Sequence, residues 1–318
     1  METLLQPDDE AALIGAYRGF TEKVTDVRVS VVIPTHNRAD FAREAIASVL
    51  QQDYSDLELI VVDDGSRDDT AAVVSGFGPA VQYLWQENRG VSAARNRGVA
   101  ASTGDLIAFL DSDDLWLPSK TSAQVAYFEA RPDTQACHTD EIWIRRGVRV
   151  NERRIHRKQG GWQFLASLPR CLISPSAVMM RRTLWDRLGG FDESLPACED
   201  YDLWLRLTAV VPVGFLPQRL VVKRGGHADQ LSRRTPVLDR YRIRALEKAL
   251  ATPLPPANRR AVLEQLVAKC RIVAQGARRR QYADRWACYA AKEQHYRQRL
   301  NAARVLVGCG ATGSEQGV

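Results

Sequence analysis

Residues 106–118 read LIAFLDSDDLWLP. The first five, Leu106 to Leu110, form a continuous apolar run of the length of a buried strand. The run ends in three carboxylates, Asp111, Asp113 and Asp114, packed into four residues. Like charges this close raise one another's pKa, and such a cluster normally persists where something positive sits on it. Where the strand lies in the fold therefore decides what the acids are for.

Upstream, the same pattern recurs. VRVSVVIPT, Val27 to Thr35, is β-branched and apolar and reads as a buried strand that Pro34 ends. Arg38 to Gln52 has helical spacing, with Phe41, Ala45, Ile46, Val49 and Leu50 on one face. Leu57 to Ser66 is a second buried strand, stopping at Asp63–Asp64–Gly65. A short helix opened by acids follows, then a third strand over Ala80–Glu87 and a helix over Gly90–Ser102. Apolar strands alternating with helices predict a parallel sheet covered on both faces. Ligands of such sheets bind outside the carboxyl ends of the strands. Asp63–Asp64 and Asp111–Asp113 both lie just past strand ends, so they are expected to converge on one crevice.

Beyond Pro118 the pattern changes. A helix over Ser119–Arg131 precedes an irregular strand region, QACHTDEIWIRRGVRV. Next come a strand, a helix from Arg182 with a Gly–Gly stop, and an amphipathic helix over Glu199–Val210 that opens with acids. VGFLPQRLVVKRGG reads as further strands. From about Thr235 the chain reads as wholly helical, broken by TPLPPAN at 252–258 and continued through GARRRQYADRWACYAAKEQHYRQRL.

Composition bounds the class. The 318 residues are 45% hydrophobic, enough for a sizeable core in one large or two smaller domains. No apolar run reaches the ~18 residues of a membrane span. The opening METLLQPDDEAALIGAY has no basic segment before an apolar one, so no signal peptide is expected. Six scattered cysteines (137, 171, 198, 270, 288 and 309) have no metal-binding spacing and read as free thiols in a reducing compartment. Charge is uneven. Residues 229–318 hold 18 Lys+Arg against 7 Asp+Glu, while the rest holds 26 against 31. A basic end region can meet anionic lipid, nucleic acid or a phosphorylated substrate, or be simply a solvated helix surface.

Asp-x-Asp after a buried strand supplies the hard oxygen ligands of Mg²⁺ or Mn²⁺, which also bind substrate phosphates. Alone it is no more than an Asp-rich turn, and its force comes from its companions. Together, VSVVIPTHNRADFAREAIASVLQQDYSDLELIVVDDGSRDDT, NRGVSAARNRGVAASTGDLIAFLDSDDLWLP, LGGFDESLPACEDYDLWLRL and GGHADQLS closely resemble a family 2 glycosyltransferase. The resemblance covers roughly residues 28–233 and rests on several motifs in order. It implies the α/β GT-A fold, a Rossmann-like nucleotide-diphospho-sugar transferase architecture with a mostly parallel central sheet. It also implies sugar transfer from a nucleotide-diphosphate donor with inversion.

The resemblance assigns roles residue by residue. Pro34, Thr35 and His36 cradle the base, with His36 where the family more often has Tyr. Asp64 matches the base-recognising carboxylate, which accepts an N–H from a base such as uracil, guanine or thymine. Arg95 matches an arginine near the nucleotide; by itself it reads as a solvated helix charge. Asp113 is expected to ligate a divalent cation (Mn²⁺ or Mg²⁺), and Asp111 the ribose, or the metal through water. Asp114 is read instead as a cap of the next segment. The ion would stabilise the leaving diphosphate as a Lewis acid. Asp200, of the Glu199–Asp200 pair, is expected to be the general base, with Glu199 orienting it or holding the acceptor. Two acids in a first helical turn can also merely offset the helix dipole. His227 is a third metal ligand or diphosphate contact, or a structural histidine. Trp116, Trp185 and Trp204 read as core or acceptor-site walls.

The expected organisation is a lead-in at 1–27 and a transferase domain at 28–234, with its nucleotide-binding half at 28–118 and its acceptor half at 119–234. A basic helical region at 235–307 and a flexible tail at 308–318 complete it. The expected donor is a UDP-, GDP- or dTDP-linked sugar. The acceptor is a glycan or lipid-linked hydroxyl in surface-polysaccharide synthesis, and no nucleic-acid partner is expected. The location follows as the cytoplasm, with the basic helices as candidates for contact with the inner membrane face. The alternative is a catalytically inert nucleotide-binding or docking protein that acts through those helices; against it, every acid the mechanism needs is present. Dinucleotide-dependent oxidoreductases and P-loop enzymes are excluded by the lack of G-x-G-x-x-G after a strand and of G-x-x-x-x-G-K-[ST]. A nucleotidyltransferase would show a Gly-rich basic loop after the first strand, and PTHNRADF is not one.

Overall fold

The computed structural model describes residues 27–151, 157–227 and 237–309, with side chains to 302. Residues 1–26 of the lead-in and 310–318 of the tail lie outside the described residues. The first strands are β1 (Val29–Thr35), β2 (Leu57–Asp63), β3 (Gln82–Trp85) and β4 (Leu106–Phe109). They pair in parallel in the order β3-β2-β1-β4. Thr35 stands beside Asp63, and Val32 beside Phe109, so the carboxyl ends of β1, β2 and β4 finish at one edge. β1 and β4 are buried throughout, as their uninterrupted apolar runs require. β3 is the edge strand, and its half-exposed pattern reflects that.

Helices α1 (Ala39–Leu50), α2 (Thr70–Ser75) and α3 (Val91–Ala100) connect these strands. α1 buries Ala42, Ala45, Ile46 and Val49, an i, i+3, i+4, i+7 stripe. This turns Phe41 and Leu50 off the face expected for them. Leu50 is exposed, and Phe41 packs its ring 5.4 Å from that of His227. α3 lies unusually close to the sheet. A Cβ at Gly98 would stand 2.3 Å from Val32 Cγ1, so only glycine fits there.

After β4 the sheet turns mixed. The later strands are β5 (Leu115–Trp116), β6 (Ala136–Arg145), β7 (Val148–Val150), β8 (Val178–Arg181) and β9 (Gly214–Gly225). β8 runs antiparallel to β4, β6 antiparallel to β8, β9 parallel to β6 and β5 antiparallel to β9. The irregular region after Ala136 is a β6–β7 hairpin, turning at Arg146 and Gly147 with φ of +52° and +76°. The expected several strands from Gly214 on are one strand. Its register slips between Leu216 and Arg219, where Pro217 has no N–H to give the ladder. One continuous sheet thus takes strands from both 28–118 and 119–227. Helices α4 (Lys120–Ala130), α5 (Phe164–Ser167), α6 (Arg182–Leu188) and α7 (Glu199–Thr208) complete this part.

The C-terminal helices are α8 (Asp239–Ala251), α9 (Pro256–Arg279) and α10 (Ala283–Cys309). Pro256 opens α9, at the helix position that tolerates proline. The helix read as continuous through GARRRQYAD is instead reversed at Gln281, where φ is +60°. The three helices do not stand apart. Ile243, Leu246, Val262, Leu263 and Leu266 bury against Tyr201 and Leu205 of α7 in one apolar cluster. Trp116, Trp185 and Trp204 belong to the clusters on the two faces of the sheet.

Candidate active site

The acids expected past the strand ends gather at the carboxyl edge of β1, β2 and β4. Asp64 is buried, and both of its oxygens accept hydrogen bonds. Oδ1 takes Gln86 Nε2 at 2.7 Å and Arg89 N at 2.9 Å; Oδ2 takes Gly90 N at 2.8 Å. Gly90 donates from a left-handed conformation, φ +90°, that glycine adopts freely. With two lone pairs per oxygen, one site on Oδ2 is left. Its neighbour Asp63 accepts Ser66 N at 2.8 Å and the Tyr83 hydroxyl at 2.7 Å, so it shapes the turn. His36 is half-buried, with Asn88 Nδ2 3.2 Å from its Nδ1. The Thr35 hydroxyl is buried with no hydrogen-bond partner among the described residues.

Arg95 is not a solvated helix charge. It is buried on α3 and joins two groups of acids. NH2 donates to Asp111 Oδ1 at 2.6 Å, and NH1 donates to Glu199 Oε1 at 2.9 Å. Burial works against ionisation of Asp111, yet Arg95, then Lys223 and Arg38, hold its carboxyl below the usual range. Glu199 moves the other way. Its burial, and then the charge of Asp200, raise it despite Arg95.

One carboxylate oxygen from each of Asp111, Asp113 and Asp114 lies within 4.8 Å of the others. Asp113 Oδ2 is 3.0 Å from Arg38 NH1 and 2.9 Å from His227 Nε2. Asp114 is buried and accepts the Ser176 hydroxyl at 2.6 Å and Arg224 N at 2.9 Å. Burial pushes its carboxyl up to about 7; Lys223, 3.6 Å away, opposes this, and Asp113 and Asp111 add to it. The donor set is all hard oxygen with an imidazole beside it, which fits Mn²⁺ or Mg²⁺ rather than a thiolate-seeking metal. His227 is seated by Phe41, whose other neighbour is the Arg224 guanidinium, 4.9 Å from the ring.

Glu199 and Asp200 open α7 after Cys198, a non-glycine residue at φ +61°. Asp200 is half-buried. Its Oδ1 accepts Tyr201 N at 2.6 Å, and its Oδ2 receives the Cys171 thiol at 3.4 Å. Burial first, and the Asp200 charge next, push that thiol well above its ordinary range.

The sequence reading missed Arg38, Ser176, Lys223, Arg224 and Cys171. Arg38 follows the first strand directly, so the rule that places ligands at strand ends would have found it. Lys223 and Arg224 sit at the end of a stretch read as a strand, and Ser176 and Cys171 in a connecting segment. No local pattern marks them.

Comparison with known proteins fits this geometry. The family described as "Glycosyl transferase family 2" matches residues 30–188, half of the chain. The chain therefore belongs to glycosyl transferase family 2. It is 31% identical over 221 residues to an uncharacterized glycosyltransferase of Rickettsia conorii, covering 65% of this chain but 35% of the relative. The chain thus spans about a third of that relative's length. Among solved structures, S. aureus TarS 1–349 in complex with UDP-GlcNAc aligns with a TM-score of 0.64 at 15% identity. That alignment covers 85% of this chain and 92% of TarS 1–349. The mannosyltransferase PcManGT of Pyrobaculum calidifontis, in complex with GDP-Man and Mn²⁺, aligns with a TM-score of 0.54 at 21% identity over 93% of both chains. The fold is that of the GT-A glycosyltransferases.

Proposed function

We propose that this protein transfers a sugar with inversion from a nucleotide-diphosphate donor to an acceptor hydroxyl. The observation that carries this is the buried Arg95 bridge. It holds the Asp111 end of the carboxylate cluster and the Glu199–Asp200 pair in one site, although they come from different halves of the chain. In this reading the remaining lone pair of Asp64 accepts an N–H of the base, beside Pro34, Thr35 and His36. Asp111 and Asp113, with His227, hold a divalent cation. When bound, that ion would neutralise charge on the leaving diphosphate.

Asp200 takes the proton of the acceptor hydroxyl. The freed oxygen forms the bond to the anomeric carbon as the carbon–diphosphate bond breaks, and its electron pair leaves with the diphosphate. Glu199, raised by burial, orients the pair against Arg95. The structure of TarS with UDP-GlcNAc and that of PcManGT with GDP-Man and Mn²⁺ support a nucleotide-sugar donor and a role for metal. An acceptor among cell-surface glycans or lipid-linked sugars fits relatives such as the chondroitin synthase of Escherichia coli. Among the described residues no helix is long and apolar enough to cross a membrane. We place the reaction in the cytoplasm, where nucleotide sugars are made, with the basic helices at the inner membrane face.

The test is a thermal-shift panel of UDP, GDP, dTDP and CDP, each with and without Mn²⁺, on the wild type and on Asp113→Ala. One nucleotide should stabilise the wild type in a Mn²⁺-dependent way. At a ligand concentration of 100 Kd the gain is about 2.7 kcal/mol. Asp113→Ala should lose it. Silence across the panel in folded protein would remove the donor site, and the transferase reading with it.

A further inference from the structure

Ser176 lies on the 3₁₀ turn Pro175–Ala177 that leads into β8, and it is fully buried. Its hydroxyl meets the carboxylate turn at two points. It donates to Asp114 Oδ2 at 2.6 Å and accepts from Asp111 N at 3.2 Å. Asp114 N closes the same turn on Asp111 O at 2.9 Å. The far oxygen of Asp114 accepts Arg224 N, from the end of β9 that leads to His227.

The 3₁₀ turn is itself anchored. The carbonyl of Ser176 accepts Trp116 Nε1 at 2.8 Å, and the carbonyl of Ala177 accepts Gln124 Nε2 at 3.1 Å. Both donors are buried, and Lys120 Nζ stands 3.6 Å from the centre of the Trp116 ring. The hydroxyl is thus held at a fixed point between a helix, a strand and the turn.

We propose that Ser176 is a positioning residue of the cation site: it sets the spacing of Asp111, Asp113 and Asp114 by tying the two ends of their turn to the anchored 3₁₀ segment. This rests on the divalent-cation reading above. The physical reason is direct. Three carboxylates within 4.8 Å repel one another, and the turn keeps them together only while its buried oxygens have donors. Removing the hydroxyl takes a donor from Asp114 and an acceptor from the Asp111 N–H at once. Groups that orient ligands in this way typically tune metal affinity 10- to 100-fold without touching the metal.

The experiment titrates Mn²⁺ alone into the full chain and follows free Mn²⁺ by electron paramagnetic resonance. The proteins are wild type, Ser176→Ala, Ser176→Thr, Ser176→Cys and Asp113→Ala, each with its melting temperature recorded. Ser176→Ala should raise the Mn²⁺ Kd by about 10- to 100-fold. Ser176→Thr, which keeps the hydroxyl, should restore it to near wild type. Ser176→Cys, a weak donor of similar size, should fall between. The order of affinities should follow donor strength rather than melting temperature.

Should Ser176→Ala fail to fold, Ser176→Cys decides. A Kd equal to wild type in the folded variant overturns the proposal. So does a Kd that tracks melting temperature across the series. If wild type and Asp113→Ala alike bind no Mn²⁺, alone or with any of the four nucleoside diphosphates, the cation reading itself falls. That outcome is distinct from wild-type binding that Ser176→Ala leaves untouched.

Discussion

Replacing Arg95 by methionine keeps the length and apolar stem of the side chain and removes the charge that joins Asp111 to Glu199. Both ion pairs are short, 2.6 and 2.9 Å, and the side chains of Arg95 and Glu199 are 4% and 6% exposed. At an effective dielectric of 20, two unit charges 4 Å apart attract by about 4 kcal/mol. Much of this offsets desolvation in the wild type. The variant keeps the desolvation of two carboxylates and loses their partner, which typically costs about 3–5 kcal/mol. The loss should depend on pH. Without Arg95 the Asp111 carboxyl rises above its ordinary range and Glu199, already raised, rises further, so the folded variant binds more protons than its unfolded chain. Its stability then falls as pH rises, and its deficit against wild type widens from pH 5 to pH 8. A deficit of about 3 kcal/mol corresponds to roughly two pKa units, so about a third to a half of it should be gone at pH 5. Urea unfolding at both pH values measures this. A triple variant, Arg95→Met with Asp111→Asn and Glu199→Gln, should recover most of the loss, because no buried charge is then unpaired. A deficit under about 1 kcal/mol at pH 8, or one equal at pH 5 and pH 8, would refute the reasoning.

Two further outcomes follow from burial. Lys120 is fully buried, and burial pulls its amine from an ordinary 10.5 down to about 7. The unfolded chain therefore binds more protons between pH 7 and 10.5, and stability should rise with pH across that window. Lys120→Met should remove up to about 1.4 kcal/mol per pH unit of that slope, read by urea unfolding at pH 7, 8.5 and 10; an unchanged slope would mean that another group sets it. Leu266→Ala, in the cluster that α8 and α9 share with α7, should cost about 2–5 kcal/mol. Tryptophan fluorescence and far-ultraviolet circular dichroism should still report one transition, whereas separate melting of the C-terminal helices would show that the shared core does not couple them.

The sequence alone was enough for the alternating strands and helices of the first half, because a strand buried on both faces must be apolar along its whole length. It was also enough to put Asp64, Asp111 and Asp113 at strand ends, since an apolar run stops where charges begin, and the Glu199–Asp200 pair at the start of a helix. What those acids touch is a different matter. Arg95 and Glu199 are 104 residues apart, and Asp114 and Arg224 are 110 apart. A periodicity read along one segment carries no information about a partner on another. For the same reason Arg95 by itself read as a surface charge, and only the resemblance put it near the nucleotide; the packing of α3, which Gly98 allows to come close, buries it. The C-terminal helices make the point in reverse. Their basic composition says nothing of what they pack on, while the apolar stripes of α8 and α9 find their complement on α7. Local pattern determined which residues had to be buried or exposed; only the tertiary fold decided which buried charge met which, because that depends on surfaces brought together from distant parts of the chain.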